Sequence, residues 1–327
     1  MDVRLSAEQE ALRDAAARLV ERLGPKAVGD LDDAGRAGKL DDAIAAAGWR
    51  ELRAAGDGGG PLASGVEAAL VAAELARGLA DAPFVGPTLA AELRRAAGAG
   101  AAAGPEAVAL DATLGAFGTA VAVDAAGAVG AVGVRGRAVV ALDVGAEAEP
   151  VDLTRRCAAV APGGEVVGEL AGDALTRATA LGLALACADL VGVMRGAVAL
   201  ACDHARQRHQ YGVPIGSFQA VQHMLADAHV LAEGSWSITL HAAWAVDALE
   251  PAAALAAAAA AKAYCARAAR TVCETAIQVH GGLGNTWDCL AHVFLRRALL
   301  DTEVLGGVGP SLALVLAHNG IGPAPAA

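Results

Sequence analysis

At 327 residues the chain can bury a sizeable core, in one large domain or two to three small ones. It is 55% hydrophobic but only 3% aromatic, and much of the apolar share is alanine, the best helix former, so a mostly helical protein is expected. A formal net charge of −11 without a run of lysine or arginine excludes nucleic acid as a partner, since phosphate binding needs a concentrated basic footprint.

The opening MDVRLSAEQE is charged and lacks the apolar stretch of a secretory signal. Ser6 and Gln9 form a capping-box pattern ahead of Ala11, Leu12, Ala15, Leu19 and Leu23, an apolar stripe at helical spacing. Further helices are predicted over 41–49, 64–77 and 86–97. The turn GDGGGP at 56–61 reads as a plain loop, because no Gly-Lys-Ser or Gly-Lys-Thr follows it to hold phosphate. Small residues over 98–105 make a linker that closes an N-terminal helical domain, 1–105.

Over 106–169 the texture changes. The valine-rich runs TAVAVD (119–124), AVVALDV (138–144) and EVVGEL (165–170) predict strands of a small, reduced β-domain with antiparallel pairing. Helices return over 170–327, at 175–207, 217–249 and 252–279, with a shorter stretch at 287–305. Short connections predict an antiparallel four-helix bundle. No uninterrupted apolar run suits a membrane span. The tail beyond Glu303 lacks Asp, Glu, Lys and Arg, but Gly306, Gly307, Gly309 and Pro310 break it. The expected fold class is α+β, mostly helical, with a small β insert.

Six cysteines (Cys157, Cys187, Cys202, Cys265, Cys273 and Cys289) show no CxxC or finger-like spacing, and the eight histidines form no HExxH pair. Reduced thiols in a cytoplasmic protein without a metal site are therefore expected.

Two segments are hard to explain by packing alone. In RHQYGVPIGSFQAVQHMLAD, 208–227, a long helix ends, Pro214 prevents its continuation, and a new helix restarts with Ser217 as its N-cap. Arg208 either caps its own helix, where a cation suits the dipole, or forks its guanidinium onto a diphosphate. In QVHGGLGNT, 278–286, Gln278 ends an alanine-rich helix, and Gly281, Gly282 and Gly284 permit positive φ and close approach of backbone N–H groups to a ligand.

Together these segments resemble the C-terminal domain of the acyl-CoA dehydrogenase family, whose pattern is R-x-Q-F-G-x-P-I-x-x-F-Q-x-x-Q-H-x-L-A-D followed by Q-x-x-G-G-x-G. The likeness is close over 170–305. It is looser in LSAEQEALRDAAARLV and AAGWREL near the start, and VDLTRR at 151–156 is similar to the family's D-x-T-R segment. The resemblance implies a helical domain, a β-barrel and an oligomerising four-helix bundle, with FAD lying between subunits. It also implies that Arg208, Gln210, Tyr211, Gln219, Gln278, Gly281 and Gly282 contact FAD bound mainly by an adjacent subunit.

The chain departs from the pattern where chemistry is done. The T-E-P-x-x-G-S-D and G-x-K-x-[WF]-[IV]-T segments that embrace flavin and thioester are absent. Family enzymes remove the α-proton of an acyl-CoA with a desolvated carboxylate. In many members it lies in a Y-E-G-T pattern, where this chain has Val304-Leu305-Gly306; in others it lies on the helix before the arginine, where Gly182 and Leu183 fall. Asp189, seven residues on from Gly182, and Asp288, near the glycine loop, are the carboxylates left for the role. Asp189 reads more simply as a buried acid paired with Arg195 or a neighbouring helix than as a base, and Glu303 would point elsewhere. The resemblance therefore implies the short, non-catalytic subunit of a heteromeric acyl-CoA dehydrogenase, paired with a larger subunit and related to enzymes of steroid-derived acyl-CoA thioesters. A self-sufficient homo-oligomer with a relocated base and a non-enzymatic helical scaffold are the alternatives.

Overall fold

The capping box at the start holds: Gln9 N–H donates to Ser6 Oγ at 3.2 Å, and helix α1 runs Ala7–Leu23. The computed structural model describes residues 4–322. The Gln9 side chain also donates to Glu67 at 2.7 Å, tying α1 to a later helix. Helix α2, Ala34–Ala46, begins earlier than the expected 41–49, because the Asp33 side chain caps the Arg36 N–H at 3.0 Å. It stops at Gly48, in the left-handed region at φ 67°, and Trp49 falls in a separate short 3₁₀ turn, Trp49–Glu51. Helices α3, Gly65–Arg77, and α4, Val85–Ala96, lie where predicted.

The expected β-region is a seven-stranded sheet: β1 Glu106–Leu110, β2 Val121–Val123, β3 Gly130–Arg135, β4 Ala138–Leu142, β5 Val144–Glu147, β6 Cys157–Val160 and β7 Glu165–Glu169. Their order is β5-β6-β2-β1-β3-β4-β7. Pairing is not wholly antiparallel as expected, because β1 and β3 run parallel. The sequence pattern missed β1, β3 and β6, and it fused β4 with β5. The missed strands are rich in alanine and glycine: Ala107, Ala109, Ala131 and Ala158 pack into a small second core of their own. Such residues carry little β-propensity, and tertiary packing supplies the preference instead.

Helix α5, Ala174–Gln207, packs against α3 and, in the bundle, against α6, Gln219–Ala248, α7, Pro251–His280, and α8, Ala291–Glu303. Helix α9, Val308–His318, lies along α7 and is mostly exposed, so the uncharged tail, whose composition reads as a short core helix, forms a surface helix instead. Ser217 is not the N-cap of α6. Its hydroxyl donates to Pro214 O at 2.7 Å, and Phe218 takes the cap position. The last expected helix starts at Ala291 and not at 287, since a 3₁₀ turn, Gly281–Asn285, and further turns occupy the segment before it.

By length and composition α5 and the stretch Ala291–His318 could cross a membrane, contrary to the expectation from the sequence. However, 78% of the most apolar window of α5 is buried inside the protein, as in a core helix. The turn at 304–307 separates α8 from α9.

A buried ion network joins the sheet to the helices. Arg155, just before β6, donates to Asp189 of α5 at 2.8 Å and to Asp301 of α8, and its Nε lies 3.4 Å from Asp124 at the end of β2. Arg297 of α8 donates to both oxygens of Asp189 at 2.7 Å, to Ala80 O at 2.8 Å and to Thr154 Oγ1 at 3.0 Å. Asp124 in turn accepts from Gly86 N–H at 2.8 Å. The VDLTRR segment is therefore a connector between sheet, bundle and N-terminal helices.

Candidate cofactor-binding site

Two helix ends meet through a pair of imidazoles. His204, in the last turn of α5, stacks on His280, the last residue of α7, with ring centroids 4.4 Å apart. His280 Nδ1 lies 2.7 Å from Ala276 O, which fixes that ring in its helix. Partial burial, His280 and the nearby Arg208 together hold the His204 pKa below the usual histidine value.

Arg208 leaves the helix immediately after this pair. Its backbone is extended, and its N–H donates to His204 O at 2.8 Å. A two-residue hairpin follows, β8 His209–Gln210 against β9 Val213–Pro214, with Tyr211 and Gly212 at the tip in positive φ. Among the described residues the Arg208 guanidinium makes no hydrogen bond or ion pair, and it is exposed. It does not cap α5. Of the two roles left open by the sequence, the structure leaves the side chain available for an external anion.

On the facing helix end, Gln278 is exposed in the last turn of α7. Gly281 has φ 63° and ψ −140°, a conformation open to glycine and strained for other residues. A Cβ at Gly281 or Gly282 would meet nothing within 4 Å, so the space above both is free. Gly284, in contrast, packs against Ile277 and closes the turn from below. Tyr211 is 95% exposed, with its ring edge-on to Phe218 at 6.3 Å. Gln219, the first residue of α6, is also exposed. Gln210 is exposed but turns its amide back to His209 O at 2.8 Å. A free guanidinium, an open glycine turn and exposed amides form a donor set suited to an anionic dinucleotide. The histidine pair that aligns them escaped the sequence pattern, although His204 and Arg208 stand four residues apart at one helix end.

The candidate carboxylates are not brought to this end. Asp189 lies nineteen residues before Arg208 on α5, roughly 28 Å along the axis. It is 1% exposed, and both oxygens are held by Arg297 and Arg155, not by Arg195, which pairs with Glu233 at 2.9 Å. Burial opposes its charge, but the two guanidiniums win and hold its pKa below the usual carboxylate range. Asp288 is exposed beyond the glycine turn, its N–H 3.4 Å from Thr286 Oγ1, and Glu303 is exposed at the end of α8.

Of the residues at the two places where the family pattern puts its carboxylate, Gly182/Leu183 and Leu305, Gly182 and Leu305 meet. A Cβ on Gly182 would overlap Cδ1 of Leu305. Neither position carries a charge, and both are buried. The Leu305 N–H donates to Leu114 O at 2.7 Å, in the 111–118 loop between β1 and β2.

A cleft of about 730 Å³ between α2, α4 and the 99–106 linker lies elsewhere. Its arginines are committed: Arg50 to Asp41, Arg94 to Glu106 and Arg95 to Glu92.

The family description "Acyl-CoA dehydrogenase, C-terminal domain" matches residues 174–314. The chain is 30% identical over 314 residues to the acyl-CoA dehydrogenase IpdE2 of Mycolicibacterium smegmatis, covering 92% of this chain and 96% of that one. Among solved structures it is similar to a steroid acyl-CoA dehydrogenase variant, Tcur3481-Tcur3483, with a TM-score of 0.80 at 18% identity over 96% of this chain and 98% of that one. It is also similar to the ChsE4-ChsE5 complex of Mycobacterium tuberculosis, with a TM-score of 0.74 at 22% identity over 99% and 100% of the two chains.

Proposed function

The chain belongs to the acyl-CoA dehydrogenase family, and from that premise we propose that it is the short, non-catalytic subunit of a heteromeric, FAD-dependent enzyme that oxidises an acyl-CoA thioester at its α,β-bond. The observation that carries this reading is a division within one chain. The cofactor-facing end is exposed and unencumbered, while both positions for the proton-abstracting carboxylate are apolar and buried. A larger partner would supply the base and most of the flavin pocket. The two-component names of the similar structures support a partner of the same family, and the steroid enzyme among them supports a steroid-derived acyl group. We place the assembly in the cytoplasm.

When bound, FAD accepts the β-hydrogen as hydride. This chain's residues bind and orient. Arg208 offers charge-assisted hydrogen bonds to the diphosphate, and the N–H groups around Gly281 and Gly282 add donors at a distance no side chain obstructs. Gln278 and Gln219 present amides for the polar edges of the dinucleotide. Tyr211, at the hairpin tip, covers the cofactor from water once the partner closes over it.

Purification with and without the neighbouring larger subunit tests the proposal. The chain alone should be nearly colourless, and the complex yellow. One flavin per chain in the isolated protein would refute the partner role and favour a homo-oligomeric enzyme.

A further inference from the structure

We propose that His204 is a second, proton-borne cation of the cofactor site: it takes up a proton from solvent when an anionic diphosphate settles beside Arg208, and returns it when the diphosphate leaves. This rests on the reading of Arg208 as a diphosphate ligand. The rings of His204 and His280 stack with centroids 4.4 Å apart and planes inclined by 28°. Stacking engages the faces and leaves the ring nitrogens at the edges. In His280 one of them is committed, since Nδ1 lies 2.7 Å from Ala276 O, and the residue is buried. His204 is only half-buried, and among the described residues its nitrogens make no hydrogen bond or ion pair. A ring placed in this way can accept a proton without giving up a bond.

The surroundings decide when it does so. His204 stands in the last turn of α5, where the helix dipole favours a cation. Without a bound anion, burial, the neighbouring His280 and Arg208 outweigh that preference and hold the ring mostly neutral at neutral pH. Among the described residues no carboxylate counters them. Asp203 and Arg206 on the same helix pair with each other at 2.9 Å, and Arg270 and Glu274 of α7 do so at 2.8 Å. The segment 213–217 against the end of α5 and the turn 281–285 against the end of α7 carry no titratable side chain, and His223 near the start of α6 is exposed. A diphosphate held by the Arg208 guanidinium reverses the sum, because an opposite charge close to the ring favours its protonated form. The imidazolium then adds a charge-assisted donor to those of the arginine. The sign of the linkage follows. The ring's pKa lies below about 6.5 when the site is free and rises on binding, so FAD affinity must fall as pH climbs through the interval between the two values.

The experiment titrates FAD into the flavin-holding assembly, stripped of its cofactor, in calorimetry buffers of different ionisation heat and free of phosphate. The dependence of the observed heat on the buffer counts the protons exchanged. At about pH 7 the wild type should take up a substantial fraction of a proton per FAD, and its affinity should fall by about three- to tenfold between about pH 6 and about pH 8. His204→Phe keeps a flat ring against His280 and cannot be charged. It should take up no proton, match the wild type at the alkaline end and bind FAD more weakly at the acid end. His204→Gln, which also lacks the charge, repeats the measurement without an added aromatic ring. No uptake in the wild type, or undiminished uptake in both variants, would overturn the proposal. A loss of affinity equal at every pH would do the same, since it marks a ring that only packs. Failure of the diphosphate reading is seen separately, as unchanged FAD retention in Arg208→Ala, and failure of the heteromer reading as flavin in the isolated chain.

Discussion

Replacing Asp189 by Asn is the most decisive single perturbation, because it separates an acid that holds the fold from one that moves a proton. The side chain keeps its shape and loses its charge. Three charge-assisted bonds end at Asp189, two from Arg297 at 2.7 Å and one from Arg155 at 2.8 Å, and both guanidinium groups are buried. Breaking a buried ion pair by removing one partner costs about 3–5 kcal/mol, since the charge left behind cannot be hydrated. Set against a total stability of about 5–15 kcal/mol, that is a large share. At roughly 2–4 °C per kcal/mol for chains of this size or somewhat smaller, Tm should fall by about 6–20 °C. Circular dichroism melts of Asp189→Asn beside Asp288→Asn, an exposed control expected within about 0.5 kcal/mol of wild type, make the measurement. Below the melting range, turnover per folded assembly should stay within a few-fold. Loss of a true general base costs about 10²–10⁴-fold. Unchanged Tm with turnover down by that factor would refute the reasoning and make Asp189 the catalytic base.

Other outcomes follow from neighbouring groups. Burial and the adjacent Asp189 push the Asp301 carboxyl well above its ordinary value despite Arg155 and Arg297. A carboxyl raised in this way stabilises the fold fully below its unfolded pKa of about 3.9, and that stability is lost as pH rises through the folded value. Asp301→Asn should therefore flatten the decline of Tm as pH rises above about 4; an unchanged decline would contradict it. Asp189, depressed by the same arginines, contributes stability above about pH 4 that is lost as pH falls, so Asp189→Asn should lose its disadvantage in acid melts. Arg208→Ala should weaken FAD retention in the complex by about 1.5–3 kcal/mol, read by flavin release on dilution, with Tm of the isolated chain unchanged. Gly281→Ala should strain the turn by about 1–3 kcal/mol and lower both Tm and flavin content, whereas Gly282→Ala should lower flavin content alone.

Where local chemistry decides structure, the sequence was readable. Ser6 and Gln9 form the box their spacing promised, and Ser64 caps α3. The bundle helices fall within a few residues of their apolar periodicity. Legibility failed where an element is defined by what it packs against. Strands β1, β3 and β6 are built on alanine and glycine, and only the neighbouring strands and the small alanine core make them strands. Ser217 fails as a cap because the 3₁₀ turn Ile215–Ser217 includes it, and Phe218 takes the N-cap position ahead of α6.

The candidate site divides in the same way. The free guanidinium of Arg208 and the open glycine turn are consequences of local backbone geometry, so a short motif could point to them. Counting along the chain could show that positions 182 and 305 lack a carboxylate, yet not that the two touch, because α5 and the end of α8 are joined only by the fold. Asp189 gives the converse case. Helical spacing puts it on roughly the face of Gly182, which made it a reasonable base, but its role is set by Arg155, 34 residues away, and Arg297, 108 residues away. An acid becomes a base when its surroundings raise its pKa and leave it a path to the substrate. Two guanidiniums lower the pKa of Asp189, and complete burial removes the path. On this argument, a chain with a carboxylate in the right stretch of helix and no accessible acid at the reaction point retains the family's scaffold, which is why the proposed function assigns the proton-abstracting base to a partner subunit.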